Sequence, residues 1–161
     1  SRPSSVTPNT LSLSFLPRLD SRVTQQLLRN IQQVRQMASC RLSEDGKTVI
    51  VLPGTKKLRD REYNENTTIE RVVCTEDMEE IGYGSFLGCT SLTSIELKPG
   101  LKRIGDYTFE GCTQLTHVSF VDGMEEIGEE SFNGCTSLTS IELKPGLKRI
   151  SNYTFWECTQ L

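Results

Sequence analysis

Six cysteines are the residues of this chain that most directly suggest chemistry, because thiolates bind metals, form disulfides and attack substrates. Cys89, Cys112, Cys135 and Cys158 recur every 23 residues, and no C-x-x-C pair of the zinc-site type is present. Side chains on successive in-register strands lie about 4.8 Å apart, whereas the Cβ atoms of a disulfide lie about 3.8 Å apart. The spacing therefore predicts small, buried, free thiols that donate toward neighbouring carbonyls, with Asn66 at the same place one repeat earlier.

The remaining reactive side chains do not form a catalytic pattern. The sequence leaves open whether Cys40 and Cys74 pair. His117 is the single histidine, which excludes a Ser-His-Asp triad and paired histidine ligands, and it is expected on the open face of a strand. The carboxylates recur at equivalent positions along the chain, which predicts charged columns rather than a pocket. No glycine-rich phosphate loop follows a strand. We therefore predict no enzyme, no catalytic residue, no metal site and no cofactor.

A repeat of 23 residues organises most of the chain. Residues 78–100 read MEEIGYGSFLGCTSLTSIELKPG, and 124–146 differ from them at three positions only. Residues 101–123 and 147–161 carry LKRI in place of MEEI, and 55–77 form a degenerate copy. Ordering one copy costs on the order of 1.5 kcal/mol per residue, more than its few apolar side chains return, so the copies must stack. We predict a solenoid over 41–161, with rungs at about 41–54, 55–77, 78–100, 101–123, 124–146 and an incomplete 147–161.

Each copy predicts one short parallel strand and a connecting loop. Leu92, Ile95 and Leu97 give the period-two alternation of a half-buried strand, and a Pro-Gly turn follows. A second extended piece is expected at 80–81, and residues 82–88 are expected to form a loop or a single helical turn that buries Phe86. Charged pairs alternate in sign between successive copies, which favours the correct stacking order. These pairs are 56–57, 79–80, 102–103, 125–126 and 148–149.

The first 40 residues differ from the repeats. Residues 1–19 are rich in Ser, Pro and Thr and indicate an extended arm. Residues 20–40 have apolar positions at helical spacing, with Asp20 or Ser21 as N-cap, and predict an amphipathic helix. This helix either caps the open first rung or docks on another subunit.

Charge and hydropathy restrict the classes of partner. Residues 1–41 carry six arginines and one acid, whereas 42–161 carry twelve bases and twenty acids. An acidic body repels phosphate backbones, and the basic front has no interleaved aromatic residues, so nucleic acid is not an expected partner. No apolar run approaches the roughly 20 residues of a membrane-spanning helix. A protein partner, and membership of a multi-subunit complex, are the expectations that remain.

The outward side of the strands is the predicted partner-binding surface, here called the strand face. It comprises Arg71, Val73, Ser94, Glu96, His117, Ser119, Ser140 and Glu142. The identity of TSLTSIELKPG in two copies weighs against one irregular ligand on this surface. Trp156 replaces Glu110 at the equivalent position and is either an anchor for a partner or a cover for an atypical last rung. The open edge left at Leu161 is expected to be covered by further repeats or by a partner.

The pattern L-x-x-I-G-x-x-x-F-x-G-C-T-x-L-x-x-I-x-L-x-x-G resembles the BspA-like leucine-rich repeats of bacterial and protist surface proteins. The resemblance covers about residues 45–161. It implies an α/β-type repeat solenoid, a leucine-rich repeat with one short parallel strand per rung, preceded here by the arm and helix. It also implies protein binding, adhesion or scaffolding without catalysis. The alternatives are a structural subunit anchored by the basic front and a cell-surface adhesin fragment. The resemblance implies a surface or secreted protein, and the basic front and reduced thiols leave an intracellular or organellar location open.

Overall fold

The computed structural model describes residues 39–161 together with Arg22, Gln25 and Gln26. The chain divides into two units, 1–38 and 39–161. In the first unit, the three described residues are helical and exposed. The predicted arm, 1–19, lies outside the described residues. Most of the predicted helix 20–40 also lies outside them, but the end of that helix, at 39–40, is described. There the prediction was wrong, because Cys40 begins a strand.

Two sheets form residues 39–161, because each repeat contributes two short strands. The six-stranded sheet is ordered β1-β2-β4-β6-β8-β10, and the five-stranded sheet is ordered β11-β9-β7-β5-β3. The first contains β1 (Cys40–Leu42), β2 (Thr48–Val51), β4 (Arg71–Val73), β6 (Ser94–Glu96), β8 (His117–Ser119) and β10 (Ser140–Glu142). The second contains β3 (Lys57–Leu58), β5 (Glu80–Ile81), β7 (Arg103–Ile104), β9 (Glu126–Ile127) and β11 (Arg149–Ile150).

Parallel pairing joins residues that are 23 apart, as the repeat predicts. Arg71 pairs with Ser94 in the first sheet, and Ile104 pairs with Ile127 in the second. The expectation of one strand per rung was incomplete, because the extended pieces at 80–81 and its equivalents also form a sheet. Residues 39–161 contain no helix, so the α/β-type description does not hold for them.

The loop between the two strands of a repeat is built from consecutive turns rather than a helix. In residues 82–88, alternate amides bond within the loop and to the next rung: Phe86 N donates to Thr108 O at 2.9 Å, and Leu87 N donates to Gly84 O at 3.1 Å. Gly84 and Gly88 both have positive φ, which interrupts right-handed helical backbone. Phe86 is fully buried beneath this loop, as predicted.

Columns of equivalent side chains fill the core between the sheets and the loops. Tyr63, Phe86, Phe109, Phe132 and Phe155 stack in sequence with ring centroids 5.2–5.5 Å apart. The columns become exposed in the last copy. Ile150 is 45 % exposed, whereas its equivalents Ile104 and Ile127 are fully buried.

The sheet edge at β2 is covered by β1, which pairs with it antiparallel. Ser43 and Asp45 shape the connecting turn, because Ser43 Oγ donates to Asp45 Oδ1 and accepts from Thr48 N at 2.9 Å. Strand β1 therefore pairs with the backbone N–H and C=O groups on the otherwise open edge of β2, the first parallel strand. Among the described residues, no helix is long and apolar enough to cross a membrane.

Candidate binding surface on the strand face

All eight residues of the strand face lie on the six-stranded sheet. Register places Arg71, Ser94, His117 and Ser140 in one column across β4, β6, β8 and β10. A second column contains Val73 beside Glu96 and Ser119 beside Glu142. The burial pattern alternates across β4 and β8, where the central Val72 and Val118 are buried and the flanking residues point outward. The sheet thus brings the predicted residues together as one surface.

Hydrogen bonds along the two columns hold the surface polar and ordered. His117 Nδ1 lies 2.8 Å from Ser140 Oγ, and Ser119 Oγ donates to Glu142 Oε2 at 2.8 Å. Lys144 lies 2.5 Å from Glu142 and, with Ser119, lowers the pKa of that carboxyl below its usual value. Surface contacts of this kind are worth about 0 to 1 kcal/mol each, so they remain exchangeable for contacts with a partner.

Four residues of this region were absent from the sequence prediction. Thr48 and Ile50 extend the two columns by one strand, since they pair with Arg71 and Val73. Lys98 and Lys144 follow the strands and form ion pairs with Glu96 and Glu142. The alternation of Thr48-Val49-Ile50-Val51 carried a signal for the first two. Strand periodicity does not predict the lysines, because they lie beyond the strand ends.

The cysteine column is structural, with Cys89, Cys112 and Cys135 buried and Cys158 half-buried. Its four Sγ atoms donate to the backbone carbonyls of Tyr63, Phe86, Phe109 and Phe132, each 26 residues earlier, at 3.1–3.3 Å. All six cysteines are free, which answers the question of Cys40 and Cys74. Burial raises the pKa of Cys89 to about 11 and that of Cys74 to about 12. Thiols with such pKa values carry little thiolate at neutral pH, so they are poor nucleophiles and metal ligands.

A second buried column, of hydroxyl residues, was missed. Ser85, Thr108, Ser131 and Thr154 are buried. Thr108 Oγ1 donates to Gly105 O at 2.7 Å and lies 3.1 Å from Gly82 O in the preceding rung. The alternation of Ser and Thr at 23-residue spacing was the available signal. A period of apolar residues identifies buried apolar positions, so it does not reveal a buried column of polar residues.

The charged columns pair across rungs as predicted. Lys57 Nζ lies 2.8 Å from Glu80, and Lys148 Nζ lies 3.0 Å from Glu125. Glu126 lies between two arginines, 3.6 Å from Arg103 and 3.4 Å from Arg149. Within the described residues, no group of three potential ligands is placed to hold a metal ion.

The sequence comparison agrees with this repeating geometry. The model of the BspA type leucine rich repeat region matches residues 50–161 as six copies. The chain belongs to the BspA-type leucine-rich repeat family. No curated protein matches it.

Solved structures with the same fold come from bacterial leucine-rich repeat proteins. The Treponema pallidum protein TpLRR is 26 % identical with a TM-score of 0.67, and the match covers 76 % of this chain and 65 % of that one. A leucine-rich repeat protein of Bacteroides ovatus is 28 % identical with a TM-score of 0.58, covering 71 % and 36 %. A leucine-rich cell surface protein of Faecalibacterium prausnitzii is 20 % identical with a TM-score of 0.50, covering 73 % and 44 %, which shows the fold alone. The chain spans about two thirds or less of these relatives.

Proposed function

We propose that this BspA-type repeat chain is a non-catalytic protein-binding or scaffolding module that uses its strand face. The observation that carries the proposal is the pair of in-register polar columns on the six-stranded sheet, fixed on a packed core. Strands joined by 23-residue register hold their side chains at about 4.8 Å spacing, so a partner meets a preorganised surface. The leucine-rich repeat fold usually mediates protein interaction, which supports the same conclusion.

The test requires a partner first identified by affinity purification with the native chain. Glu96→Arg and Glu142→Arg reverse charges in the second column and are expected to weaken binding to the purified partner by about tenfold or more. Glu44→Arg is the matched control, because it makes the same charge change at an exposed turn residue outside the strand face. Equal loss in the control and in the face variants contradicts the proposal.

A structural subunit anchored by its front segment is the second candidate. The charge division favours it, because six arginines and one acid precede an acidic body. Removal of residues 1–38, which keeps β1 in place, separates the two candidates. A structural subunit loses its assembly in this variant, whereas a strand-face binder keeps its partner.

A surface location, as in an adhesin, is the placement proposed for this chain. The family resemblance supports it, and the F. prausnitzii protein is itself described as a cell surface protein. Protease accessibility on intact cells tests this placement. An intracellular or organellar chain stays protected until the cells are lysed.

A further inference from the structure

Differences between the repeats concentrate on the loop side of the solenoid. Residues 78–100 and 124–146 differ at three positions, and 101–115 and 147–161 differ at four. All seven differences fall in 82–88 and the equivalent residues 105–111, 128–134 and 151–157, and none falls in a strand. The changed residues of the later copies are Glu129, Glu130, Asn133, Ser151, Asn152, Trp156 and Glu157. Within the residues compared, copies two repeats apart therefore differ only on the loop side.

Three of these changed residues meet in one groove. Glu130, Asn133 and Trp156, together with Tyr153, line a concave site on the last two loops, here called the loop groove. Trp156 and Tyr153 are 57 % and 58 % exposed. Their rings lie nearly perpendicular, at 83°, with centroids 5.5 Å apart. The groove therefore has two large aromatic side chains open to solvent.

The residues of the loop groove include two acceptor groups, the carboxylate of Glu130 and the amide oxygen of Asn133. Asn133 Nδ2 donates to Glu130 Oε2 at 3.0 Å and lies 3.4 Å from Glu110 Oε1. This leaves Asn133 Oδ1, which is buried and without a hydrogen-bond partner. A buried acceptor without a partner costs about 1 to 3 kcal/mol, so a ligand that donates to it recovers that energy.

Carboxylates that lack a cationic partner among the described residues cluster around the loop groove. Within residues 39–161, Glu110, Glu129 and Glu130 form no ion pair, unlike the glutamates of the charged columns. Burial and the nearby Glu130 raise the pKa of Glu110. Glu130 and Glu129 also raise the pKa of Tyr107 on the preceding loop. A cation that enters the groove relieves this repulsion.

We propose that the loop groove binds an arginine side chain presented by a partner protein. A guanidinium group is planar and cationic, stacks on aromatic rings and carries five N–H donors. The groove supplies the complementary set: the rings of Trp156 and Tyr153, the carboxylate of Glu130 and the free oxygen of Asn133. This inference goes beyond the strand-face function and does not depend on it, because the two surfaces share no residue.

Trp156 is the single tryptophan of the chain, so its fluorescence reports on the groove directly. The full chain is titrated with acetyl-Gly-Arg-Gly-amide and, separately, with the citrulline peptide, which keeps the shape and loses the charge. The arginine peptide is expected to change Trp156 emission saturably, and the citrulline peptide to bind about tenfold or more weakly. Equal binding of the two peptides, or no saturable change with arginine, overturns the proposal.

The sister repeat supplies matched variants that the fold already accommodates. Glu130→Gly and Asn133→Leu install the residues found at Gly84 and Leu87. Both substitutions are expected to weaken binding of the arginine peptide by about tenfold or more. The circular dichroism is expected to stay unchanged and the melting temperature not to fall, because glycine relieves the left-handed backbone at 130 and leucine removes the unpartnered oxygen at 133. Glu44→Gln, at an exposed turn residue outside both the loop groove and the strand face, is the control and leaves the affinity for the arginine peptide unchanged. A saturable response to a neutral oligosaccharide in place of arginine also overturns the proposal, as does normal affinity in both groove variants.

Discussion

Individual residues in the loops adopt left-handed backbone at two places that are four positions apart. The first place is occupied by Arg61, Gly84, Tyr107, Glu130 and Tyr153, with φ between 49° and 58°. At the second place the inner copies have glycine with φ near 70°, and Glu157 has φ of 57°. A side chain in this conformation costs about 1 to 2 kcal/mol. The first place therefore has a strained residue with a side chain in every copy except that of Gly84. The second place is glycine in three copies and strained at Glu65 and Glu157.

Glu157→Gly is expected to raise the free energy of unfolding by about 0.5 to 1 kcal/mol, because glycine removes the left-handed strain. Urea denaturation of the full chain measures the change. Gln160→Gly is the control on the same rung, since Gln160 is exposed and does not have positive φ. There glycine brings only its entropic cost and lowers stability. A loss at Glu157 equal to that at Gln160 contradicts this explanation.

At the level of elements, strand pairs are too short to define their own register. A two-residue strand such as β9 makes few backbone bonds, so its charged partners on either side contribute to the choice of neighbour. Glu126 has an arginine on both adjacent rungs and a side chain only 24 % exposed. Charge alternation therefore acts between elements, where a shift of one whole repeat brings like charges together.

Glu126→Lys is expected to lower the free energy of unfolding by about 1 to 2 kcal/mol, because it replaces two attractions with two repulsions. The loss is expected to shrink at high salt, where surface charges are screened. Glu44→Lys makes the same charge change at an exposed turn residue and serves as control. A salt-independent loss at Glu126 means that packing, not charge, was disturbed.

Across the whole molecule, stability is a sum of contacts between adjacent rungs. The aromatic stack runs through the described repeats, and its members bury against neighbours on both sides in the middle copies. Ile150, Leu143 and Leu161 of the last copies are 45–50 % exposed. In a one-dimensional stack of this kind, local opening is easiest where a rung has a single neighbour.

Amide hydrogen exchange of the full chain is expected to be slowest in 105–111 and faster in 149–161. Phe109 N donates to Ser131 O at 2.7 Å in the middle of the stack, between buried rings on both sides. Phe109→Ala removes a fully buried ring and is expected to cost about 3 to 5 kcal/mol, with faster exchange in the two adjacent rungs. Uniform exchange along the solenoid, or a single all-or-none acceleration in the variant, contradicts the nearest-neighbour description.

The sequence alone determined the period, the stacking of equivalent residues, the free thiols of the 23-residue cysteine column and the charge alternation. It did so because burial and register repeat every 23 residues, so one copy reports on the next. Only the tertiary structure decided that the pair at 80–81 forms a second sheet, that β1 covers the edge at β2, and that Glu130, Asn133, Tyr153 and Trp156 form a groove. Two-residue strands leave no periodicity to detect, and a groove depends on the turn geometry of two rungs. Such features arise from contacts between copies rather than from the pattern within one.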